Sequence, residues 1–288
     1  MLKKIYYNLF KAGGLFLTAF FLTGCGMVVL QPKGPIARAE AFIIYIAFAL
    51  MLVIVVSVFV LAFWFSVRYR ASNKKAAYKP NWATSLKIEL VIWLVPAIIV
   101  LFLSYLAWTS TYQLDPYKPI NSAVKPLQIE VVSLDWNWLF IYPDYSIATV
   151  NELVLPVDTP LNFRLTSATV MTSFFVPQLG SQIYAMAGMQ TRLHLMADET
   201  GIFDGHNQEF SGKGYVRMHF KAIVKTPEQF EVWAQKARQS PVTLSLAEYK
   251  ALSKPHVNHP VTIYSSVVPG LFDTIVRQFT GWRGKQAR

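Results

Sequence analysis

Few side chains in this chain have the type and placement to do chemistry: five histidines, one isolated carboxylate and a single cysteine, Cys25. His194 and His219 alternate with apolar residues inside predicted strands, so each reads as a solvent-facing strand residue and not as a ligand. His256 and His259 flank a proline-bounded loop at a spacing metals use, but the sequence offers them no further ligands. Glu89 is the only acid between Glu40 and Asp115. From position alone it reads as an interfacial carboxylate snorkelling to headgroups. Its other reading is a proton-collecting group, because partial desolvation tunes an acid at a membrane mouth toward neutral pH. No nucleophile motif, phosphate loop or dinucleotide fingerprint is present, so no catalytic residue is expected. The residues alone describe an accessory or binding module.

Cys25 gains meaning from what precedes it. Lys3, Lys4 and Lys11 make a basic start, residues 15–21 form a short apolar stretch, and Leu22-Thr23-Gly24-Cys25 follows. That order is a secretory signal, too short in its apolar part for a spanning helix. The last four residues resemble the lipobox of bacterial lipoproteins. Residues 1–24 are therefore expected to be a signal peptide, with lipid attached at Cys25 and residues 25–40 forming a lipid-anchored segment. The other reading is an ordinary cysteine in an uncleaved anchor. A lone thiol excludes an intrachain disulfide and any thiolate cluster.

The elements that must position these residues begin in a membrane. Hydrophobic residues make up 53% of the chain and charged ones 15%, below the roughly one quarter usual for soluble domains. Residues 41–67 carry no formal charge, and residues 88–112 contain a second apolar run with Pro96 inside it. At ~1.5 Å per residue each can cross a ~30 Å hydrocarbon layer. The connection 68–87 holds Arg68, Arg70, Lys74, Lys75, Lys79 and Lys87 with no acid, which makes it a cytoplasmic loop by the positive-inside rule. Everything after residue 112 then lies outside, and the signal peptide demands the same orientation. Of the net charge of +11, residues 1–120 carry +9 (12 Lys/Arg less 3 Asp/Glu) and residues 121–288 only +2 (15 less 13). The excess sits at the ends of apolar runs, so nucleic acid is not an expected partner.

From residue 125 the period changes to two, as in Leu127-Gln128-Ile129-Glu130-Val131. With prolines and glycines between such runs, the pattern predicts a small antiparallel sandwich or barrel over 120–225. Residues 226–288 read as helical. Thr226-Pro227-Glu228-Gln229 is a capping box, Ser245-Leu246-Ala247-Glu248 a second, and 269–279 a further helix.

Several strings resemble subunit II of the haem–copper oxidases, over nearly the whole chain. Glu89-Leu90-Val91-Ile92-Trp93-Leu94-Val95-Pro96-Ala97 is similar to the family's second-helix signature. Asp135-Trp136-Asn137-Trp138 is similar to its aromatic segment. The run 175–194, from Phe175-Val176-Pro177-Gln178 to Thr191-Arg192-Leu193-His194, resembles the quinol-oxidizing branch in particular. The resemblance implies a membrane α plus all-β fold: a two-helix transmembrane hairpin, a cupredoxin-like β-sandwich and a short helical C-terminal tail.

It also implies where the chemistry lies. The cytochrome c-oxidizing branch holds two copper ions with an upstream histidine and a Cys-x-Glu-x-Cys-x3-His-x2-Met loop. The matching positions here are Thr172, Asn207, Ser211 and Tyr215, with Glu209 and Met218 retained. Without thiolates the copper pair cannot form. The chain is then expected to bind no cofactor itself, with haem and copper in the partner subunit I and further small membrane subunits beside it. The implied work is a proton-translocating ubiquinol oxidase of the bacterial inner membrane, β-domain in the periplasm. The resemblance places Glu89 at the entrance of a proton pathway into subunit I, and it leaves Trp136 and Trp138 as packing residues on one face of a strand. A lipoprotein binding module with no oxidase partner is the rival reading.

Overall fold

The structure is a computed structural model that describes residues 27–77 and 81–286. Cys25 and the expected signal peptide lie outside the described residues. Helix α1 spans Pro35–Arg68 and α2 spans Leu86–Gln113. Proline at the start of α1 sacrifices no hydrogen bond, because the first turn's N–H groups lack intrahelical partners. Both helices leave large apolar side chains uncovered, such as Phe59, Trp93 and Leu101, as a lipid or a partner helix requires.

At 34 residues, α1 is some seven longer than its uncharged run. Its surplus first turns meet the β-domain. Lys33 N–H donates to the Gln178 carbonyl at 2.7 Å, Asp198 N–H donates to the Lys33 carbonyl at 3.0 Å, and Ala37 N–H reaches the Leu179 carbonyl at 3.3 Å. The ion pairs Lys33–Glu199 and Arg38–Asp198 and a bond from the Ser181 hydroxyl to Glu40 surround that strip. A Cβ on Gly34 would fall 2.3 Å from the Met196 carbonyl oxygen, so only glycine lets the two backbones approach this closely. The hairpin is thereby joined to the sandwich by main chain.

The sandwich is built from β1 (Leu127–Ser133), β2 (Trp138–Tyr142), β3 (Ile147–Val150), β4 (Glu152–Pro156), β5 (Leu161–Ser167), β6 (Thr172–Phe175), β7 (Ile183–Ala185), β8 (Thr191–Leu195), β9 (Gly201–Asn207), β10 (His219–Lys225) and β11 (Thr262–Tyr264). One sheet runs β11-β3-β2-β1-β5-β8 and the other β4-β10-β9-β6-β7. The expectation of a purely antiparallel domain is corrected at two places: β1 pairs with β5 and β4 with β10 in parallel. Alternation specifies which face a strand buries and carries no information on its neighbour's direction.

Between the sheets, Trp138, Phe140, Phe174 and Phe220 interlock, with Phe140–Phe220 and Phe174–Phe220 ring centroids 5.0 and 5.2 Å apart. Helices α3 (Pro227–Ala237), α4 (Leu246–Leu252) and α5 (Leu271–Gln286) follow, α3 opening on the complete Thr226/Gln229 capping box. The C-terminal region also does what its pattern did not announce. β11 joins β3 at the sheet edge, and Leu244, Tyr249, Leu252, Tyr264, Phe272 and Ile275 cover the outer face of β1–β3. Arg164 ties α5 down, bonding Glu130 at 2.7 Å, Gln190 and Asp273 at 2.9 Å, with its guanidinium over the Phe272 ring.

Candidate functional site

The segment between β9 and β10 holds most of the residues the sequence singled out. Asn207 ends β9, buried, and its N–H donates to the Met218 carbonyl at 3.2 Å, which closes the loop at its base. Its side-chain amide then makes four further bonds. The oxygen accepts the N–H of Ser173 at 2.8 Å and of Glu209 at 2.9 Å; the nitrogen donates to the Glu209 carbonyl at 2.7 Å and the Ser211 hydroxyl at 3.1 Å. An amide has two lone pairs and two donors, so Asn207 is fully committed to holding the loop in shape.

Thr172, the first residue of β6, is buried beside Ser173, and its hydroxyl has no hydrogen-bond partner among the described residues. Met218 is buried as well. Tyr215 departs from the group, since its ring packs against Phe210, 5.7 Å between centroids, at the exposed tip of the loop. Thr172, Asn207, Ser211 and Met218 are thus drawn to one end of β6 and β9, with Glu209 present through its backbone and Tyr215 turned to the rim.

Trp136 corrects the expectation that it shares a strand face with Trp138. Trp138 lies in β2 and is buried in the core, whereas Trp136 sits in the turn before it at φ 95°. A bulky residue at positive φ is strained and persists only where its surroundings hold it. Here its indole N–H donates to the Ser211 carbonyl at 2.8 Å, and its ring lies where a Cβ on Gly214 would be, 2.3 Å away. Trp136 is a cover plate over the loop.

The donor set does not fit a pair of copper ions. At the positions that the resemblance aligns with copper ligands stand an amide and hydroxyls in place of thiolates and imidazoles, beside the Met218 thioether, and the amide is spoken for by four bonds. Among the described residues no group of three His, Cys, Asp or Glu side chains is placed to hold a metal. His256 and His259 stack edge-on at 5.6 Å in an exposed loop whose backbone Asn137 and Asn151 secure. His194 also departs from expectation. It is half-buried, and its N–H and ring Nδ1 both meet the Pro116 carbonyl, at 3.1 and 2.9 Å, which fixes the exit of α2 to β8. At the other end of α2, Glu89 Oε1 accepts the Ser85 N–H at 3.1 Å, so the carboxylate caps its own helix.

Sequence reasoning missed the Asn207 network, because its key partner, Ser173, is 34 residues away. It also missed the docking of Lys33 and Arg38, for which the only signal was charge beside an apolar run.

A family model described as "Cytochrome C oxidase subunit II, periplasmic domain" matches residues 144–225, and one described as "COX Aromatic Rich Motif" matches 238–281. "Cytochrome bo(3) ubiquinol oxidase subunit 2" of Pseudomonas putida is 50% identical over 98% of this chain and 89% of its own length. The chain belongs to the ubiquinol oxidase subunit 2 family. "Ubiquinol oxidase subunit 2" of Acetobacter aceti is 43% identical over 97% of this chain and 91% of its own. "Quinol oxidase subunit 2" of Bacillus cereus is 37% identical over 92% and 91%. Within this subunit 2 chain, every residue of the 172–218 site falls inside the matched periplasmic domain. The aromatic-rich segment is the layer of α4, β11 and α5 that covers the six-stranded sheet.

Proposed function

We propose that the chain is subunit II of a proton-translocating respiratory oxidase that takes electrons from ubiquinol and reduces oxygen to water. Haem, copper and the oxygen chemistry belong to subunit I, and this chain anchors the complex, caps its outer face and lines the proton entrance. The observation that carries the choice of donor is the Asn207 amide. It holds by hydrogen bonds a loop that the copper-bearing branch holds by metal, so a soluble one-electron donor finds no port here. The positively charged 68–87 loop supports a cytoplasmic side for Glu89 and a periplasmic one for the sandwich.

The test is purification in mild detergent. A haem-containing partner co-purifies, and within that complex Glu89→Gln and Glu89→Ala lower oxygen consumption by about tenfold or more while haem content is normal. Glu89→Asp is milder. Gln keeps an acceptor for the Ser85 N–H but cannot carry a proton. Wild-type turnover in Glu89→Gln with a deficit in Glu89→Ala leaves the carboxylate as a helix cap alone. Lipidation at Cys25 is part of the same reading: Cys25→Ala abolishes labelling by a radioactive fatty acid, while α1 and α2 retain the chain in the membrane. Persistent labelling of that variant refutes the lipid site.

A further inference from the structure

His206 and His219 face each other across β9 and β10, at the base of the loop that Asn207 closes. The adjacent pair, Asn207 and Met218, is the hydrogen-bonded one, so the histidines occupy the pair type whose side chains approach most closely. Their ring centroids are 5.9 Å apart with planes at 50°. Two imidazoles bound to one ion through nitrogens at ~2.0–2.1 Å place their centres on the order of 5 Å apart, within reach of small side-chain rotations.

Their other contacts prepare both rings. His219 Nε2 lies 2.6 Å from the Val216 carbonyl. A carbonyl only accepts, so that nitrogen carries a proton, which in the neutral tautomer leaves the lone pair on Nδ1; metal-binding histidines are commonly fixed in this way. His206 Nε2 lies 2.6 Å from the Gln208 side-chain nitrogen, so its lone pair receives an amide proton from a group a cation can displace. Burial and the facing His219 hold the His206 pKa below its ordinary value, against the opposing pull of Asp204. Asp204 itself is engaged by Lys221.

We propose that His206 and His219 form a chelate for a divalent transition-metal ion, Cu2+ more tightly than Zn2+, which clips the base of the 207–218 hairpin. Two imidazoles select Cu2+, Ni2+ and Zn2+ over Ca2+ and Mg2+, which require oxygen ligands. No third His, Cys, Asp or Glu joins them among the described residues, so water or the Gln208 carbonyl completes the shell and affinity is modest. The other histidine pair, His256 and His259, sits three residues apart in a loop with His259 Nδ1 against the Pro260 carbonyl, and it serves as internal control.

The experiment uses the full chain in detergent, titrated with Cu2+ and with Zn2+ by calorimetry, with electron paramagnetic resonance of the copper form. One Cu2+ binds per chain with a two-nitrogen signature. His206→Gln and His219→Gln each weaken it by about tenfold or more, and His256→Gln with His259→Gln leaves it unchanged. A second measurement needs no variant: in the unmutated chain, Zn2+ protects His206 and His219 from diethyl pyrocarbonate, read by mass spectrometry. Unchanged copper affinity in both single variants, protection confined to His256 and His259, or no saturable uptake by about 100 μM ion overturns the proposal.

Discussion

Replacing Gly34 by alanine is expected to detach the membrane hairpin from the sandwich while leaving each part folded. The added Cβ would stand 2.3 Å from the Met196 carbonyl oxygen and 3.2 Å from that of Leu179. Both are backbone atoms, so no side-chain rotation relieves the clash. Moving apart breaks the Lys33–Gln178 and Asp198–Lys33 main-chain bonds and strips the Arg38–Asp198 pair of its alignment. Whether the parts stay docked and bear the overpacking or separate and lose these bonds, at about 1 kcal/mol for each hydrogen bond and 1–3 kcal/mol for overpacking, the docked state loses about 2–3 kcal/mol. That is roughly a hundredfold in the docking equilibrium, since 1.4 kcal/mol is tenfold. Trypsin cleavage after Lys33, followed in detergent, accelerates accordingly, and tryptophan fluorescence of the sandwich stays as in the parent. Equal cleavage rates in the two proteins would show that residues 33–38 are not what joins the parts.

The second large effect is the creation of a metal centre. Thr172→His, Asn207→Cys, Ser211→Cys and Tyr215→His together place two thiolates and two imidazoles beside Glu209 and Met218. The full chain in detergent, loaded with copper, then shows an intense thiolate-to-copper absorption and a mixed-valence signature, neither of which the parent gives. The structure adds a condition. Asn207→Cys removes four side-chain hydrogen bonds, including those from the Ser173 and Glu209 N–H groups. Without metal the variant is about 2–4 kcal/mol less stable, and copper restores what the amide supplied. Tyr215 packs against Phe210 at the rim, so a histidine there must swing inward, and the variant lacking Tyr215→His separates that movement from thiolate binding. A well-folded quadruple variant that binds copper without a thiolate band would refute the alignment of 207–218.

Much of this architecture is legible in the residues, and the exceptions have physical reasons. The helical hairpin is written in charge-free runs, and the Thr226 capping box forms as its four residues prescribe. β1 and β5 alternate because one face of each is covered less completely than the other. Trp138-Leu139-Phe140-Ile141-Tyr142 shows no alternation, because β2 is buried on both sides, by the facing sheet and by the C-terminal layer. β11 is three residues long, too short for a period. At the site, the positions that the resemblance aligns with copper ligands could be picked out in sequence order. What holds the loop in shape could not, because the bonds of Asn207 reach to another strand and the strained Trp136 is held by glycines 76 and 78 positions later. The opposition of His206 and His219 depends on the register of two strands, which no local pattern states.

The C-terminal layer also has a consequence for the order in which the chain acquires its structure. β1, β2 and β3 can pair as soon as residue 150 is available, but their outer face presents Val132, Leu134, Leu139 and Ile141 with nothing over them. The residues that cover it begin at Leu244 and end at Ile275. A chain emerging N-terminus first therefore passes through a long stage with a half-finished sheet, apolar on the side that will later be sealed and open at the β3 edge that β11 will occupy. Contacts this distant along the chain are slow to close, and exposed apolar faces and free edges are where nascent β-domains associate wrongly. Tethering by α1 and α2 holds that intermediate at the membrane surface, and completion waits on residues 244–275.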